Sequence, residues 1–376
     1  MNILILHGAS DLYGASKILL IVTEILSRNG HKPIVVLSED GPLTAELQKL
    51  GIEVKIIRLG ILRRKYFNIS GLFNRAFVSF KAWKQLSRLI DEKKPELIYS
   101  NTTGVIIGSL LARKKGIKHI WHVHEIITRP AAFTRIIGYL LNNFSDKVIV
   151  VSDAVKRHWK QTVESSKLVR IYNGIDITPF RDTSTSLRDE LNISPDALII
   201  GMIGRVNHWK GQDYFLKIAK ILSDKYSRLY FVMAGDAFPG NEHLIAELNE
   251  NIQRMGLQNK VFNIGYRTDI VNILNALDIF MLPSILPDPF PTVILEAMSA
   301  ARAVVATNQG GAPEMIEDRR SGILIPLREA ENAAKKIGYL IENEIERNQM
   351  GALAKERVQL KFSHEAFGQA ILALFK

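Results

Sequence analysis

The stretch PDPFPTVILEAMSAARAVVAT, residues 287–307, runs from a proline-rich loop into a helix pattern and then into a β-branched strand. Proline at every second position of the loop restricts φ and disfavours helix before Thr292. A helix that begins there exposes unpaired backbone N–H groups in its first turn, where anions bind. Asp288 precedes that turn and Glu296 lies one turn inside it, so the stretch predicts a site for a polar, partly anionic molecule.

The same alternation of helix patterns and short strands extends along the rest of the chain. Predicted strands of the first half are NILIL, PIVVLS, VKIIRL, ELIYS, HIWHV, KVIVVS and KLVRIY; those of the second half are LIIGMIG, RLYFVMAG, KVFNIG, DIFMLPS, AVVAT and GILIP. A polar, turn-rich segment, ITPFRDTSTSLRDELNISPD, separates the two series. Such alternation is typical of parallel sheets with crossover helices. We therefore predict an α/β protein of two doubly wound domains facing across a cleft, over residues 1–180 and 181–360.

Composition excludes several classes of protein. The chain has 376 residues, 47% of them hydrophobic and 23% charged, which is ordinary for a globular protein and argues against disorder. It has no cysteine, so a disulfide framework and a thiolate metal site are excluded. The N-terminus reads as a first strand rather than a secretory signal, and no apolar run approaches a membrane span. These features predict a cytoplasmic protein.

The charge is concentrated in one half of the chain. Residues 1–182 hold 28 Lys and Arg against 15 Asp and Glu, a net charge of +13, whereas residues 183–376 hold 21 against 23, a net charge of −2. This asymmetry favours an anionic partner for the first half, with an ordinary basic surface as the alternative. Aromatic-plus-basic stacking motifs are lacking, which argues against nucleic acid.

A helix pattern near residues 63–90 combines apolar and basic residues. One helical face has apolar residues at positions 69, 72, 73, 76, 80, 83 and 90; the cations Lys81, Lys84 and Arg88 lie opposite, Phe77 lies beside them, and Arg63, Arg64 and Lys65 precede the helix. This pattern predicts peripheral contact with anionic lipid on the inner face of the membrane and access to a lipid-linked acceptor. The alternative is a core-packed helix with a solvated basic face.

Three loops at predicted strand ends have residues suited to a nucleotide. GRVNHWKGQD, residues 204–213, presents Arg205 and Lys210, two cations suited to a diphosphate. NIGYRTDI, residues 263–270, supplies a turn that could meet a planar base. HGASDLYGAS, residues 7–16, could let backbone approach a phosphate. The respective alternatives are exposed cations, an ordinary loop, and a turn that caps a helix.

Other patterns exclude or limit particular chemistries. No G-x-G-x-x-G opens either domain, which argues against a nicotinamide dehydrogenase. His122 and His124 alternate on HIWHVHEIITRP without a third ligand at convincing spacing, so they do not predict a metal site. For His122 we expect a core or supporting position.

The motifs together resemble a known family. PDPFPTVILEAMSAARAVVAT is similar to the E-P-F-G-x-x-x-x-E-A-M-A-x-G-x-P-V-V-A-T stretch of the retaining glycosyltransferases of family 4, also called glycosyl transferases group 1. Five other stretches resemble further patterns of the family: GRVNHWKG, VSDAVKRHW, IYNGID, DIFMLPS and NQGGAPEMIEDRRSGILIP. Along the chain, all these stretches follow the order that the family has. The resemblance covers essentially the whole chain and implies the GT-B fold, in which two Rossmann-like domains face each other. It also implies that a C-terminal helix, residues 361–376, packs back on the N-terminal domain.

The resemblance assigns roles to individual residues. It implies that Glu296 binds the ribose of a nucleotide-sugar, that Asp288 binds the transferred sugar, and that Arg205 and Lys210 neutralise the departing diphosphate. It places His124, in the pair His124–Glu125, near the donor sugar. The remaining residues expected to contact the nucleotide-sugar, several through their backbone, are Gly14, Ala15, Tyr266, Arg267, Phe290, Pro291, Thr292 and Val293.

Three positions depart from the family pattern. Asp288 stands where glutamate is usual, Pro291 replaces a glycine and removes a backbone donor, and Tyr13–Gly14 replaces a glycine pair. The first two differences bear on which sugar is accepted.

The sequence therefore predicts a retaining glycosyltransferase of cell-envelope polysaccharide synthesis. It would transfer a sugar from a UDP- or GDP-sugar to a hydroxyl of a glycan or lipid-linked oligosaccharide. It would need no cofactor or metal, because two cations and a helix dipole can neutralise the leaving group. Alternatives are a nucleotide-sugar 2-epimerase of the same fold and a non-catalytic nucleotide-sugar-binding protein. The sequence does not identify the base, the sugar or the acceptor. It also does not decide between front-face substitution and double displacement.

Overall fold

Two parallel sheets organise the computed structural model, which describes residues 1–61 and 69–375. The first sheet has strand order β3-β2-β1-β4-β5-β6-β7. Its strands are β1 (Asn2–His7), β2 (Lys32–Leu37), β3 (Glu53–Ile56), β4 (Leu97–Asn101), β5 (Lys118–Val123), β6 (Lys147–Val150) and β7 (Leu168–Arg170). Most of these strands are buried on both faces, which explains their continuous β-branched runs.

Helices connect these strands. They are α1 (Gly14–Arg28), α2 (Pro42–Lys49), α3 (Ile69–Lys93), α4 (Ile106–Lys115), α5 (Ala131–Asn143) and α6 (Asp153–Trp159). One core lies between the sheet and α1, where Leu19, Val22 and Leu26 are fully buried. A second core joins the other face to α3 and α4, through Leu86 and Leu111.

The second sheet has strand order β10-β9-β8-β11-β12-β13. Its strands are β8 (Leu198–Ile203), β9 (Leu229–Ala234), β10 (Val261–Asn263), β11 (Ile279–Leu282), β12 (Ala303–Thr307) and β13 (Ile323–Ile325). The remaining helices are α7 (Leu187–Glu190), α8 (Gln212–Lys225), α9 (His243–Arg254), α10 (Ile270–Ala276), α11 (Thr292–Ser299), α12 (Ala312–Met315), α13 (Ala330–Glu342), α14 (Glu344–Lys361) and α15 (His364–Leu372). The thirteen strands of the described residues lie where the sequence predicts them, and the α/β fold with two Rossmann-like sheets is confirmed.

The chain divides into two compact units. The N-terminal unit contains residues 1–174 and 365–376, and the C-terminal unit contains residues 175–364. The chain leaves the first unit six residues before the predicted boundary at 180, because the 3₁₀ turn Thr178–Arg181 and the segment before it belong to the second unit. Almost all of α15 belongs to the N-terminal unit, where Phe367 and Ile371 are buried in the core beside α1.

In each sheet the strand order reverses once, and ligands of doubly wound proteins bind at such reversals. The reversal lies between β1 and β4 in the N-terminal unit and between β8 and β11 in the C-terminal unit. Because all strands are parallel, their carboxyl ends meet at one edge, and the loops after these four strands lie side by side within each unit.

Helix α3 differs from the predicted pattern. Ala82, Leu86 and Ile90 face the core, whereas Phe73 and Phe80, predicted to share the face of Ile90, are 75% and 58% exposed. Phe73 and Phe80 therefore lie on a different face of the helix from Ala82, Leu86 and Ile90. Arg63, Arg64 and Lys65 fall outside the described residues. Over residues 1–61 and 69–375, no helix combines the length and apolar character needed to cross a bilayer.

Candidate functional site

The proline-rich loop of the C-terminal unit leads into α11, which begins at Thr292 as predicted. Pro291 is the residue before the helix, with extended backbone. The Asp288 carbonyl accepts a hydrogen bond from the Gly311 N–H at 2.8 Å, which anchors the loop to the turn after β12. Asp288 is thus held in front of a helix N-terminus, where the backbone dipoles favour negative charge on a ligand.

Lys210 reaches across the reversal point and forms an ion pair with Asp288. The Lys210 loop is shaped by Asn207, whose side-chain oxygen accepts the N–H groups of Trp209 and Lys210 at 3.1 and 2.9 Å. The Trp209 carbonyl in turn accepts the Ile285 N–H at 2.8 Å, which ties this loop to the segment after β11. The structure therefore brings together two residues that are 78 positions apart.

Close backbone packing also shapes this part of the site. Gly310 has φ +61°, and a Cβ added there would lie 2.2 Å from the Asp288 carbonyl oxygen. Gly211, with φ +86°, would place a Cβ 2.0 Å from the Pro283 carbonyl oxygen. Only glycine fits at these contacts. Sequence reasoning did not assign them, although the glycines of NHWKG and NQGGAP are the signal that marks them.

Arg205 follows β8, and its guanidinium lies 3.7 Å from the centre of the Phe238 ring. The Arg205 carbonyl accepts a hydrogen bond from the Gln212 side chain at 2.9 Å, which fixes the backbone at this strand end. The side chain is half-buried at the edge of the sheet where the Lys210 loop also begins. Neither Asn207, Gln212 nor Phe238 was predicted to contribute.

Tyr266 lies at the same edge of the second sheet. The Gly265 carbonyl accepts the Gly235 N–H at 2.7 Å, and a Cβ on Gly235 would touch the Gly204 carbonyl oxygen at 2.0 Å. These backbone contacts join the ends of β8, β9 and β10, so Tyr266 and Arg205 are carried on adjoining loops. The Tyr266 ring is 55% exposed, as a surface that stacks on a planar base would be.

Arg267 forms ion pairs with two acids of its own unit. Its guanidinium donates to Glu190 at 2.6 Å and to Asp269 at 2.8 and 2.6 Å. These hydrogen bonds hold the pKa of the Asp269 carboxyl well below its usual range. Two carboxylates thus neutralise this cation, and the side chain connects α7 to the start of α10. A contact of Arg267 with the nucleotide stays a prediction.

The other predicted residues of this unit differ in what they can offer. The Phe290 ring is buried, with its centre 5.8 Å from that of Phe362, so only the backbone of Phe290 is available. Pro291 is buried and has no N–H. Thr292 and Val293 are half-buried in the first turn of α11, and Glu296 is half-buried one turn further along.

In the N-terminal unit, α1 begins at Gly14, whose φ is +28°. The Asp11 side chain accepts the Tyr13 N–H at 3.1 Å and so shapes the turn before the helix. The Ala15 carbonyl accepts a hydrogen bond from Asn101, at the end of β4, at 3.1 Å. Gly14 and Ala15 therefore form the first residues of a helix at the reversal point of the first sheet.

His124 follows β5 and points toward the same reversal point. Its Nε2 lies 2.8 Å from Oδ1 of Asn101. Burial, with smaller effects from His122 and His7, lowers the pKa of His124 well below its ordinary value, so the ring is neutral at pH 7. His122 is fully buried, with Nδ1 2.6 Å from the Tyr99 hydroxyl, in the supporting position that the sequence predicts.

Glu125 is the neighbour of His124 and borders a cavity of about 370 Å³. Its carboxylate accepts the N–H groups of Thr103 at 3.2 Å and of His124 at 3.0 Å. Burial nevertheless raises the pKa of Glu125 to about 7, because these hydrogen bonds compensate only part of the lost hydration. The cavity therefore has an acid that can exchange a proton near neutral pH.

A metal site would need a cluster of His, Asp or Glu side chains within the described ranges, 1–61 and 69–375. No three His, Asp or Glu side chains there form a group that could hold a metal ion. Within the C-terminal unit, Arg205 and Lys210 supply positive charge at the edge of the second sheet.

Comparison with known proteins agrees with this fold. Residues 13–178 match the model of Glycosyltransferase Family 4, and residues 183–357 match that of Glycosyl transferases group 1. The two matches together span most of the chain. The protein therefore belongs to the family 4 glycosyltransferases and has the GT-B fold.

Particular relatives support the same placement. The chain is 26% identical over 338 residues to UDP-Gal:alpha-D-GlcNAc-diphosphoundecaprenol alpha-1,3-galactosyltransferase of Escherichia coli, covering 85% of this chain and 83% of that protein. It is 26% identical over 229 residues to the lipopolysaccharide 1,2-N-acetylglucosaminetransferase of Salmonella typhimurium, covering 59% and 60%. The crystal structure of Anabaena Alr3699/HepE in complex with UDP-glucose superimposes with a TM-score of 0.86 at 26% identity, covering 100% of this chain and 99% of that one.

Proposed function

We propose that this glycosyltransferase moves a sugar, with retention of anomeric configuration, from a UDP-sugar to a hydroxyl of a lipid-linked glycan of the cell envelope. One observation carries the proposal: Lys210, Asp288 and the first turn of α11 converge at the reversal point of the second sheet. A cation, a carboxylate and unpaired N–H groups are the partners that a diphosphate joined to a sugar needs.

Uridine is the base that the relatives favour. The Anabaena protein was crystallised with UDP-glucose, and the Escherichia coli enzyme is named for UDP-galactose. In this chain the exposed Tyr266 ring would stack on the base, and Glu296 would accept hydrogen bonds from the ribose hydroxyls. Asp288 would accept hydrogen bonds from the transferred sugar.

The leaving group sets the electrostatic demand of the reaction. As the bond from the anomeric carbon to the β-phosphate oxygen breaks, negative charge collects on UDP and the sugar becomes oxocarbenium-like. Arg205 and Lys210 would neutralise that charge together with the α11 dipole, so we propose that the reaction needs no metal. Retention is inferred from the family pattern. His124 would hydrogen-bond a sugar hydroxyl.

The surface of α3 supports a lipid-linked acceptor. Phe73, Phe77 and Phe80 are all more than half exposed. Lys81 lies 4.5 Å from the centre of the Phe77 ring, and Lys84 lies 4.6 Å from that of Phe80. Exposed aromatics interleaved with cations fit the interface of an anionic bilayer. We therefore propose that α3 holds the enzyme peripherally on the inner leaflet, where a lipid diphosphate such as that named for the Escherichia coli relative would be reached.

Calorimetric titration with UDP, GDP and ADP tests the donor site. We expect UDP to bind, and Arg205→Ala and Lys210→Ala each to weaken it roughly ten- to a hundredfold, the value of one charge-assisted hydrogen bond. Lys220→Ala is the matched control, because Lys220 is an exposed lysine of the same unit that pairs with Asp224. Folded protein that binds none of the three nucleotides would overturn the proposal.

Product analysis separates transfer from its rivals. The enzyme is incubated with UDP-galactose or UDP-glucose and a short-chain lipid-diphosphate sugar, with and without EDTA. A new α-linked product from an α-linked donor, unaffected by EDTA, supports a retaining, metal-independent transferase. Epimerised nucleotide-sugar without an acceptor would identify an epimerase, and nucleotide binding without any product would favour a binding protein.

A further inference from the structure

A buried chain of hydrogen bonds links the start of α1 to His124. Oδ1 of Asp11 lies 3.0 Å from Oγ of Ser16, and that Oγ lies 2.9 Å from Nε2 of His7. Nδ1 of His7 lies 3.0 Å from Nδ2 of Asn101, whose Oδ1 lies 2.8 Å from Nε2 of His124. His7, Ser16 and Asn101 are each at most 2% exposed. We name these five residues the His7–Asn101 chain.

The direction of each hydrogen bond follows from the first residue of the chain. An ionised carboxylate only accepts, so the Ser16 hydroxyl donates to Asp11. The Ser16 oxygen must then accept from His7, which places a hydrogen on Nε2 of His7. In a neutral imidazole the other nitrogen has a lone pair, so Nδ1 of His7 accepts from the Asn101 amide.

A second, independent contact gives the same orientation of Asn101. The atom 3.1 Å from the Ala15 carbonyl oxygen must be the amide nitrogen, because a carbonyl cannot donate. Both hydrogens of that nitrogen are thereby used, one toward Ala15 and one toward His7. The amide oxygen is left facing His124, and it accepts a hydrogen from Nε2 of that ring.

We propose that Asn101 is a positioning residue that holds His124 as the Nε2–H tautomer and leaves the Nδ1 lone pair as a hydrogen-bond acceptor. Among the described residues, no group forms a hydrogen bond with Nδ1 of His124. A lone pair accepts from a hydroxyl and disfavours phosphate oxygens, which have no hydrogen to donate. The ring therefore selects a sugar hydroxyl. The identity of this ligand rests on the proposed function, whereas the tautomer of His124 does not.

The tautomer can be observed without any substrate. The full-length protein is labelled with ¹⁵N-histidine, and long-range ¹H–¹⁵N spectra are recorded at pH 7. His7→Gln and His124→Gln identify two of the nine histidines. We expect both rings to have hydrogen on Nε2 and a bare Nδ1.

Asn101→Asp tests whether the His7–Asn101 chain sets the tautomers of its histidines. A carboxylate cannot donate to Nδ1 of His7, so we expect His7 to gain a hydrogen on Nδ1, while His124 keeps its hydrogen on Nε2. A residue that merely fills space would not change the tautomer of its neighbour. Asn143→Asp, at an exposed position on α5, is the matched control and should leave both spectra unchanged.

Two results would overturn the inference: hydrogen on Nδ1 of His124 in the unaltered protein, or an unchanged His7 in Asn101→Asp. If that variant does not fold, Ser16→Ala replaces it, because it removes the acceptor for Nε2 of His7 and should mix the two His7 tautomers. Addition of UDP-glucose should shift the His124 Nδ1 resonance, whereas UDP alone should not. If calorimetry shows UDP-glucose binding but Nδ1 does not shift, the hydroxyl contact fails while the proposed function stands.

Discussion

Lys210 is held in place by its neighbours within the C-terminal unit. Its loop is fixed by Asn207, and its charge is neutralised by Asp288, with only 18% and 16% of the two side chains exposed. If Lys210 binds the diphosphate as proposed, the diphosphate would replace a carboxylate as the partner of this lysine. In the proposed complex that exchange also frees Asp288 for the hydroxyls of the sugar.

Asp288→Ala should consequently have opposite effects on two ligands. UDP binding should tighten, by roughly two- to tenfold, because no carboxylate competes for Lys210. The extra affinity of UDP-glucose over UDP should shrink, because the contact to the sugar is lost. Calorimetric titration with both ligands measures the two effects, and Asp224→Ala on α8 is the control. Weaker UDP binding in Asp288→Ala would contradict the competition between carboxylate and phosphate.

Glu125 predicts a pH dependence of stability in the N-terminal unit. Its pKa is raised from 4.5 to about 7 in the folded protein, so between these values the unfolded chain binds fewer protons than the folded one. Stability from this group is therefore lost as pH rises from about 4.5 to about 7. Glu125→Gln cannot titrate, so its thermal midpoint should rise relative to wild type across that window. A difference in thermal midpoint that stays constant at every pH would refute the raised pKa of Glu125. Glu164→Gln, at an exposed position, is the control.

At the scale of elements, the loop before α11 is held by backbone contacts that only glycine permits. Gly310→Ala should force the Asp288 carbonyl away and move the proline-rich loop. Gly256 has a similar φ of +68° with no atom within 4 Å of an added Cβ, so Gly256→Ala controls for backbone strain alone. Both variants should unfold at a lower temperature, but only Gly310→Ala should lose UDP affinity, by roughly ten- to a hundredfold. Equal losses of UDP affinity in both variants would show that the loss comes from backbone strain and not from the contact between Gly310 and Asp288.

Helix α3 makes a separate prediction at the same scale. Replacing Phe73, Phe77 and Phe80 together by Ser should abolish sedimentation with phosphatidylglycerol vesicles while leaving UDP binding unchanged. Neutral phosphatidylcholine vesicles should bind neither protein, because the cations beside the rings supply attraction to anionic headgroups. The control replaces Ile345 and Leu360 by Ser, which are 81% and 70% exposed in the other unit. Loss of vesicle binding in the control would indicate nonspecific adsorption.

At the scale of the whole molecule, the last residues of the chain help to complete the first unit. Phe367, Ile371 and Phe375 of the C-terminal segment are buried with Leu19 and Val22 of α1. The N-terminal unit thus depends on residues synthesised after the whole C-terminal unit. The same arrangement in both sheets, with polar residues at the single reversal of strand order, places the candidate groups of each unit at one edge.

Phe367→Ala should therefore weaken the N-terminal unit selectively. Truncating a buried phenylalanine costs about 3–5 kcal/mol. Hydrogen exchange followed by mass spectrometry should show faster exchange in α1 and β1 and unchanged exchange in β8 and β11. Leu360→Ala, at an exposed position of α14, is the control. Faster exchange in both units alike would indicate that they unfold as one.

Much of the fold was predictable because local patterns decide it. Parallel strands that are buried on both faces need continuous apolar runs, and the central strands of both sheets, such as β1, β8 and β12, have them. The start of α11 was predictable for a similar reason, since proline before Thr292 disfavours helix. Burial on α3 was not, because the predicted apolar face includes Phe73 and Phe80, whereas the buried residues Ala82, Leu86 and Ile90 lie on a different face of the helix.

By itself, the sequence determined the two-domain α/β fold, the strand positions and the motifs that place the chain in its family, because these depend on periodicity and on residues close together in the chain. Only the tertiary structure decided that Lys210 meets Asp288, that Arg267 is neutralised by Glu190 and Asp269, and that Asn101 forms a hydrogen bond with His124. The physical reason is the same in each case. Side chains on different strand ends become neighbours only after the order of strands in the sheet is set, and that order is not encoded in any local pattern.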